Sequence, residues 1–520
     1  MSQIIPANPA HPMGEIQKEL EKILKFNKTE CDSLTGKLHV VWDASAPVTP
    51  IGQLTFFIDF LKTANLYDSW VEDCPLQRTS PNASSTRDVL GTIFLSVLAG
   101  HKRYAHITAV RNDDVNPEIL GMKRVMGCDT ARRAFQNADQ NACHEWLKKH
   151  LRKCYLPMLT EPWILDMDTT VKPLYGKQEG ADISYNPQKP GRPSHIIHTY
   201  AIGKTRVVLD GELLPGRQFQ SKYTLPVLWN LLDSIPKENW PTLVRGDALF
   251  GNENVLSAME ERGLQYLFKV RKTPGVKQLI NFCMTQSDNW VNAGQGWEGI
   301  RGELLLKGWS KKRKVIVLRR PLKKRRGRPP KKSPLQLEFQ FKDAIVEKIQ
   351  YEYAVLVTSL EMEVMTIAQL YRDRGDAENI FDELKNQWGW AGYSTQDIFR
   401  SQIMTRITAI IYNWWSFFCM LADPDKRREA ITSRPLLLYA IGRMTKHAGQ
   451  TTITITPGHG KHEHARGMQA KIRAVVNWFK KHAQQLNFKE KWHMMLSIIY
   501  YDILGGRLLG SIRKIAQVPP

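Results

Sequence analysis

The sequence predicts an α/β fold with a mixed sheet in the central part of the chain and mainly helical regions towards its N- and C-terminal ends. Between residues 160 and 270, short apolar strands alternate with amphipathic helices, an order that is typical of a mixed sheet. Residues 1–158 and 395–520 instead carry apolar side chains at three- and four-residue spacing, which predicts helices. Because the chain has 520 residues, it is too long for one ordinary core, and we expect two to four domains.

The N-terminal region contains a pair of short helices that is a candidate for DNA reading. Residues 117–136 are predicted to form two helices around a turn, with Asp129 or Thr130 as the cap of the second helix. That helix exposes Arg132 and Arg133, as in a helix-turn-helix, but an ordinary helical hairpin fits the pattern equally well. The other N-terminal helices are predicted at residues 14–27, 54–66, 88–101 and 138–154.

Two apolar strands of the central region end in acidic residues. Residues 163–168 and 242–247 end at Asp168 and Asp247, and ligand sites of α/β sheets form at such strand ends. Asp166 lies two residues before Asp168 on the same strand, so both side chains share one face. The other elements predicted in this region are strands at 195–202, 206–213 and 264–270 and helices at 223–235 and 251–262.

Residues 272–352 break this rhythm and are predicted to form a separate β element, with strand-like segments that include residues 335–341. The most basic stretch of the chain lies inside it, because 13 of the 22 residues from 311 to 332 are Lys or Arg. Its Arg-Gly-Arg core resembles an AT-hook, which lies in a narrow A·T minor groove. A bare hairpin tip would explain the Gly and Pro but not the cations. The residues predicted to contact DNA here are Lys323, Lys324, Arg325, Arg326 and Arg328.

Residues 370–385 are predicted to form one helix with two stripes of side chains. The polar stripe falls within an arc of roughly 60° on one helix face; it consists of Tyr371, Arg374, Glu378 and Lys385. The apolar stripe would anchor the helix in a core; it consists of Leu370, Ala377, Ile380, Phe381 and Leu384. The neighbouring acids are expected at the surface; they are Asp373, Asp376 and Glu383.

Asp168, Asp247 and Glu378 come from three separate elements and form a candidate metal site. A lone aspartate at a strand end is usually a cap or a turn residue, but three acids in this order favour a site. Carboxylate oxygens suit Mg²⁺, a hard cation. Two such ions activate an attacking water or hydroxyl and stabilise the leaving oxygen of a phosphodiester. We therefore expect two Mg²⁺ ions, for which Mn²⁺ can substitute.

Charge and composition indicate a DNA partner and a reducing compartment. A net charge of +22 with a pI near 9.6 favours a polyanion, and nucleic acid fits best because no stretch resembles a membrane anchor. The richest apolar run, residues 403–421, is interrupted by polar residues and is expected to be a buried helix. Seven scattered cysteines without a CxxC motif indicate neither a disulfide framework nor a structural zinc site. The N-terminus lacks a signal-peptide pattern, so we expect a cytoplasmic protein.

Two further features have an ordinary interpretation beside a functional one. The loop at residues 177–195 contains Gly, Pro and cations, which can bring the backbone close to DNA or can simply connect two strands. Three tryptophans of the 272–352 segment fit core packing better than stacking on a flipped base; they are Trp290, Trp297 and Trp309.

Together these motifs resemble those of the DDE transposases of bacterial insertion sequences, in the branch with a Tyr-Arg-Glu-Lys signature. The polar stripe of the 370–385 helix matches that signature without a gap. Leu165-Asp-Met-Asp168-Thr-Thr is similar to the first motif of the family, and Val244-Arg-Gly-Asp247-Ala-Leu-Phe-Gly251 to the second. The resemblance covers about residues 160–425, roughly half of the chain.

The resemblance implies an RNase H-like catalytic core that a β-rich insertion interrupts. Asp168, Asp247 and Glu378 would then be the metal ligands, and Asp168 is preferred to Asp166 because Thr169-Thr170 fits the motif. The other three signature residues would hold transposon-end phosphates near the metals. The implied regions are a helical DNA-binding region (1–158), the core in two parts (159–271 and 353–425), a basic β-rich insertion (272–352) and a helical C-terminal region (426–520).

The implied activity is the cutting of insertion-element ends and their joining to target DNA. The expected partners are the terminal inverted repeats and the target DNA, with a homodimer in the active complex. The expected location is the bacterial cytoplasm, in association with the nucleoid. Two alternatives are a non-catalytic DNA-binding protein derived from a transposase and a structure-specific nuclease of the same fold, which would cut without joining.

Overall fold

A computed structural model describes residues 16–18, 20–21, 28–41, 43–77, 83–186, 189–219, 221–286, 289–322, 350–456 and 460–510, and the structural statements below concern these residues. The strands are β1 (Lys28–Ser33), β2 (Gly36–Val41), β3 (Val48–Thr49), β4 (Ile164–Pro173), β5 (Asp182–Ile183), β6 (Pro193–Ile202), β7 (Val207–Pro215), β8 (Leu243–Gly246), β9 (Tyr266–Lys269), β10 (Val291–Gly294), β11 (Trp297–Leu304), β12 (Arg313–Pro321), β13 (Tyr351–Thr358), β14 (Ile441–His447) and β15 (Gln450–Thr456).

The α-helices are α1 (Leu54–Thr63), α2 (Tyr67–Glu72), α3 (Thr86–Leu98), α4 (Thr108–Arg111), α5 (Val115–Leu120), α6 (Cys128–Arg133), α7 (Gln140–Tyr155), α8 (Ser221–Asp233), α9 (Glu253–Glu261), α10 (Pro274–Met284), α11 (Val364–Arg372), α12 (Gly375–Gln387), α13 (Ile398–Ala422), α14 (Ala430–Leu437), α15 (His462–His482) and α16 (Phe488–Ile499). Every long helix and strand predicted between residues 54 and 270 has a counterpart among these elements.

A ten-stranded mixed sheet forms the centre of the described protein. The strand order is β10-β11-β12-β13-β9-β8-β4-β6-β5, and β7 also pairs with β6. Strands β4, β8 and β9 run parallel to one another, whereas the other pairs of this sheet are antiparallel. The predicted α/β class with a mixed sheet is therefore confirmed.

The prediction of a separate β element at residues 272–352 is wrong. Strand β12 pairs antiparallel with β13, and β13 pairs antiparallel with β9 of the central sheet. Since the free edge of β13 carries backbone groups that need partners, the three strands β10–β12 extend the same sheet. The segment also contains helix α10, and Pro274 at the start of this helix is a start signal that the sequence reading missed. The strand predicted at 335–341 lies outside the described residues.

Helix α13 is the central buried helix. Of its 25 residues, 23 are buried, and it packs against β7 and against α1, α7, α15 and α16. Its polar residues have partners, because Arg406 forms a bidentate ion pair with Asp210 of β7 and the Asn413 amide bonds the backbone of Val208. The prediction of a buried helix is therefore confirmed. No helix of the described part is both long and apolar enough to cross a membrane.

Helices from both ends of the chain pack together around α13. Strand β3 pairs with β14 at Thr49 and Gly442, and the Gln53 amide donates to the carbonyls of Leu436 and Tyr439. The N-terminal region, which was predicted to be mainly helical, also contains the β1–β2 hairpin. None of the seven cysteines, all of which lie in the described part of the chain, forms a disulfide.

Candidate functional site

Asp168 and Asp247 lie side by side at the centre of the sheet. Strands β4 and β8 run parallel, and their register pairs Met167 with Gly246, so the next residue on each chain is one of the two acids. Adjacent strands are about 4.8 Å apart, which places the two backbones close together. Asp247 also shapes its own turn, because its Oδ1 accepts a hydrogen bond from the backbone N–H of Leu249 at 2.9 Å.

Asp166 and Asp168 have different environments although they share a strand face. Asp166 forms a bidentate ion pair with Arg245, with Nε–Oδ1 at 2.7 Å and Nη2–Oδ2 at 2.6 Å, and both side chains are 1% exposed. Arg245 Nη1 also donates to the carbonyl of Leu370, just before the signature tyrosine. Asp168 is 21% exposed, and its Oδ2 lies 3.2 Å from Nη2 of Arg374. Asp166 is thus held in a buried ion pair, whereas Asp168 belongs to a partly exposed cluster of charged residues.

The polar stripe is distributed over two helices, so the prediction of one continuous helix at 370–385 is wrong. Tyr371 lies in α11, Arg374 precedes α12, and Glu378 lies in the first turn of α12. The backbone N–H of Arg374 bonds to the carbonyl of Tyr371, and that of Ala377 to the carbonyl of Arg374. Such three-residue spacing tightens the chain into a 3₁₀-type turn.

Arg374 joins two of the three candidate ligands. Its guanidinium is buried and contacts Asp168 through Nη2, while Nη1 donates to Oε1 of Glu378 at 2.8 Å. The Nε of Arg374 is buried and has no hydrogen-bond partner among the described residues. The turn before α12 thus directs this arginine at the acid of β4.

The charges of this cluster act on one another. Burial raises the pKa of Asp168 to about 6; Arg374 opposes the rise, and the carboxylates of Asp247 and Glu378 add to it. Burial also raises the pKa of Tyr371 to about 12, against the effect of Arg374 and with that of the acids. Burial lowers the pKa of Arg374, but the acids outweigh burial and leave it raised. The five groups therefore form one electrostatic unit.

The donor chemistry of this cluster suits divalent cations. Three carboxylates offer the oxygen ligands that Mg²⁺ prefers, and with one guanidinium they leave an excess of negative charge that a cation would offset. No group of three or more His, Cys, Asp or Glu in the described part is compact enough to form a ready metal site. Arg374 instead supplies the positive charge between Asp168 and Glu378.

The remaining residues of α12 divide between the core and the surface. The apolar stripe is buried at Ala377, Ile380, Phe381 and Leu384, as predicted. Glu383 was expected at the surface, but it is buried, and its Oε1 accepts from the Trp388 indole N–H and the backbone N–H of Ala430. The expectation for Glu383 is wrong because the start of α14 covers this face of α12. Lys385 is half-buried and lies two turns, about 10 Å, beyond Glu378.

A cleft of about 1290 Å³ opens beside Asp247. Its walls come from the turn after β8, the start of α10, the β11–β12 turn and the loop between β4 and β6. Aromatic side chains and cations both line it; they include Tyr185, Phe219, Trp309, Arg271 and Lys307. Gly251 lets the turn lie against β9, because a Cβ there would be 2.3 Å from the carbonyl oxygen of Lys269.

The other predicted DNA contacts are placed as follows. Helices α5 and α6 form the predicted pair of short helices, but Gly127 rather than Asp129 or Thr130 is at the cap position. Arg132 pairs with Asp129 at 2.7 Å, and Arg133 is exposed. The basic residues Lys323, Lys324, Arg325, Arg326 and Arg328 lie outside the described residues.

The three tryptophans of the 272–352 segment are partly buried, and each packs against a hydrophobic core. An arginine lies over each ring; these pairs are Arg319–Trp290, Arg320–Trp297 and Arg313–Trp309.

Comparison with known proteins gives the family. Residues 62–477 match the sequence-family model described as Transposase DDE domain group 1. The chain belongs to this family. The match spans about four-fifths of the chain and includes the three acids, so this DDE transposase carries its candidate site within the family domain.

Other comparisons are weaker. Among solved structures, this transposase is similar to the piggyBac transposase in a synaptic complex with hairpin DNA, at 10% sequence identity and a TM-score of 0.38, over 87% of this chain and 88% of that chain. No curated protein sequence matches it. The family assignment therefore rests on the sequence-family match.

The buried ion pair between Arg245 and Asp166 was not predicted from the sequence. Arg245 lies two residues before Asp247, as Asp166 does before Asp168, so each residue of this pair precedes its acid by one strand repeat. An arginine inside an apolar strand is a signal for a buried ion pair, since charged residues are almost never fully buried unless paired. That signal was present in the sequence.

Proposed function

We propose that this DDE transposase cuts the ends of a bacterial insertion element and joins them to target DNA. The observation that carries the proposal is the convergence of Asp168, Asp247 and Glu378, from two parallel strands and one helix, around the guanidinium of Arg374. Perturbed, mutually interacting charged groups at the end of a sheet are typical of catalytic sites. The order and spacing of these residues in the sequence support the Tyr-Arg-Glu-Lys branch.

The three carboxylates would hold two Mg²⁺ ions, or Mn²⁺ in their place. Bound divalent ions activate a water or 3′-hydroxyl for attack and stabilise the leaving oxygen. Glu378 is the most exposed of the acids that contact Arg374, with 67% of its side chain accessible, so it has room to turn from the arginine towards a ligand. Asp168 and Asp247 are held in place by their strands.

The cations of the signature would bind DNA phosphates. Arg374 has an unpartnered Nε, and a guanidinium binds phosphate through paired hydrogen bonds. A tyrosine is protonated at neutral pH even at its ordinary pKa of about 10, and burial raises the pKa of Tyr371 further, so its hydroxyl can donate to a phosphate oxygen. Lys385, about 10 Å further along α12, would contact a more distant phosphate.

Further parts of the proposal concern partners and regions. DNA would be bound as terminal inverted repeats and as target, by a homodimer in the active complex, in the bacterial cytoplasm near the nucleoid. The basic stretch from Lys323 to Arg328 and the exposed Arg133 of α6 would add DNA contacts. Residues 159–271 and 353–425 would form an RNase H-like core with residues 272–352 as its insertion.

Strand transfer tests the proposal against a nuclease of the same fold. The purified protein is incubated with Mg²⁺, with a target plasmid and with linear DNA whose ends are the pre-cut borders of the element. We expect covalent joining of the 3′ ends to the plasmid by the wild type and none by Asp168→Ala. Cleavage of uncut borders without any joined product would indicate the nuclease instead.

A further inference from the structure

The loop between β4 and β6 presents two exposed aromatic rings near the candidate site. Tyr175 is 69% exposed and Tyr185 is 58% exposed. Both lie on the segment that follows β4, the strand that carries Asp168. Large exposed aromatic side chains close to a site are candidates for contact with a ligand, because aromatic rings otherwise contribute their area to a core.

Cations surround the first ring. The Lys189 ammonium lies 4.9 Å from the ring centroid of Tyr175 and donates to its hydroxyl, and the guanidinium of Arg192 lies 4.5 Å from the same centroid. The hydrogen bond from Lys189 is the main cause that lowers the pKa of Tyr175, and the positive charges of Lys189, Arg192 and Arg103 lower it further. Arg103 comes from the loop after α3, so two separate parts of the chain supply this charge.

The acids of the loop are engaged elsewhere. Glu179 Oε2 accepts from the backbone N–H of Ile398 at 3.1 Å, at the start of α13. Asp182 pairs with Arg217, with Nε–Oδ1 at 3.3 Å. The charged groups that lie at the Tyr175 ring itself, Lys189 and Arg192, are positive.

The second ring belongs to the cleft beside Asp247. Tyr185 packs against Phe219 with ring centroids 4.8 Å apart, and both rings line this cleft together with Asp247. Arg271 and Lys307 line it as well. The loop thus reaches from the proposed cleavage site to the cationic surface around Tyr175.

We propose that the Tyr175–Tyr185 surface binds unpaired DNA next to the cleavage site. Here Tyr175–Tyr185 surface means the two tyrosines with Lys189, Arg192 and Arg103. Duplex backbone is bound by cations alone, whereas exposed rings beside cations are the arrangement that binds single strands through base stacking and phosphate contact. Tyr175 lies seven residues after Asp168 on the same segment, so the two residues are at most about 25 Å apart. This inference rests on the proposed DNA chemistry of the site and adds the class of DNA that lies beside it.

Binding in the absence of divalent metal tests the inference independently of catalysis. Fluorescent single-stranded oligothymidine and a duplex of equal length are titrated with the full chain in EDTA, at a salt concentration that suppresses non-specific contacts. For the variant Tyr175→Ala/Tyr185→Ala we expect about tenfold or greater loss of single-strand affinity and less than about a threefold change for the duplex. The variant Tyr175→Phe/Tyr185→Phe retains the rings and should bind single strands almost as the wild type does.

Two exposed tyrosines elsewhere provide matched controls. Tyr439 is 40% exposed and Tyr501 is 47% exposed, so Tyr439→Ala/Tyr501→Ala removes similar rings outside the surface and should leave both affinities unchanged. In the variant Lys189→Gln/Arg192→Gln, the slope of log affinity against log salt should become less steep by up to about two, because each lost phosphate contact lowers it by about one.

Unchanged single-strand affinity of Tyr175→Ala/Tyr185→Ala would overturn the inference, and so would an equal loss for duplex and single strand. If the wild type cuts and joins DNA while Tyr175→Ala/Tyr185→Ala binds single strands normally, the proposed function is retained and the inference about the Tyr175–Tyr185 surface is rejected. If the wild type never cuts DNA but Tyr175→Ala/Tyr185→Ala selectively loses single-strand binding, the proposed function is rejected and the Tyr175–Tyr185 surface is retained as a single-strand binding site.

Discussion

Replacing Asp166 by asparagine is expected to destabilise the protein although it removes no proposed metal ligand. The substitution leaves the guanidinium of Arg245 buried at 1% exposure without its charged partner. Removal of one partner from a buried pair costs about 3–5 kcal/mol. With an unfolding entropy of about 2.1 cal/mol/K per residue, a loss of 4 kcal/mol lowers the melting temperature by about 4 °C if the 520-residue chain unfolds as one unit.

Asp168→Asn is the matched comparison on the same strand. Burial and the neighbouring carboxylates hold the pKa of Asp168 above its ordinary value despite Arg374, and Arg374 keeps its ion pair with Glu378, so we expect the loss of this contact to cost at most about 1 kcal/mol. Calorimetry should therefore show a clear drop for Asp166→Asn and less than about 1 °C for Asp168→Asn. DNA cleavage should show the opposite ranking, with complete loss for Asp168→Asn.

A second buried pair separates positioning from general stability. Asp210→Asn breaks the bidentate pair with Arg406 in the helical core, but Arg406 keeps its ion pair with Glu212, so the melting temperature should fall less than for Asp166→Asn. Cleavage per folded molecule should survive in Asp210→Asn but fall in Asp166→Asn, because Arg245 also bonds the carbonyl of Leu370. Equal melting temperatures for wild type and Asp166→Asn would refute this reasoning, and so would equal cleavage by the two variants.

Three further predictions concern stability. Burial lowers the pKa of Lys172 to about 7, so the charged lysine destabilises the folded state by up to about 5 kcal/mol; this destabilisation is complete below pH 7 and fades as the pH rises towards 10.4. Lys172→Met should therefore have a higher melting temperature than the wild type at pH 6, and the difference should become smaller by pH 9. A difference in melting temperature that does not change with pH would contradict this account. Gly251→Ala should cost about 1–3 kcal/mol, since the new Cβ meets the Lys269 carbonyl, and unchanged melting would exclude that contact. Glu383→Ala should cost about 1–3 kcal/mol for each of the two donors left without an acceptor, whereas Glu383→Gln keeps the acceptor and should melt closer to the wild type.

The order of elements could be predicted because periodicity and strand ends are local signals. The apolar runs before Asp168 and Asp247, and the buried stripe from Ala377 to Leu384, are visible in single segments of sequence. These parts of the site required no knowledge of distant contacts. Asp247 directly follows β8, as predicted, but β4 continues beyond Asp168 to Pro173, so the prediction of a strand that ends at Asp168 is wrong. The two acids meet because β4 pairs parallel with β8 just before them.

Other features depend on contacts between distant segments. The β11–β12 strands join the central sheet because β13 offers a free edge, and no residue of the strands themselves encodes that partner. Glu383 is buried because α14 places the N–H of Ala430 against it, 47 residues further along the chain. The break between α11 and α12 was not seen because Arg374 and Gly375 do not exclude a helix, although Gly375 weakens one.

The most direct test of the central claim measures metal-dependent cleavage of element-end DNA by single and double variants of the three acids. Residues that act as one unit lose activity non-additively, because one removal already disables the unit. We therefore expect Asp168→Asn, Asp247→Asn and Glu378→Gln each to abolish cleavage with Mg²⁺ while end binding persists, and the double variants to be no worse. Cleavage that survives any of these single substitutions in a folded protein would contradict the assignment of the site.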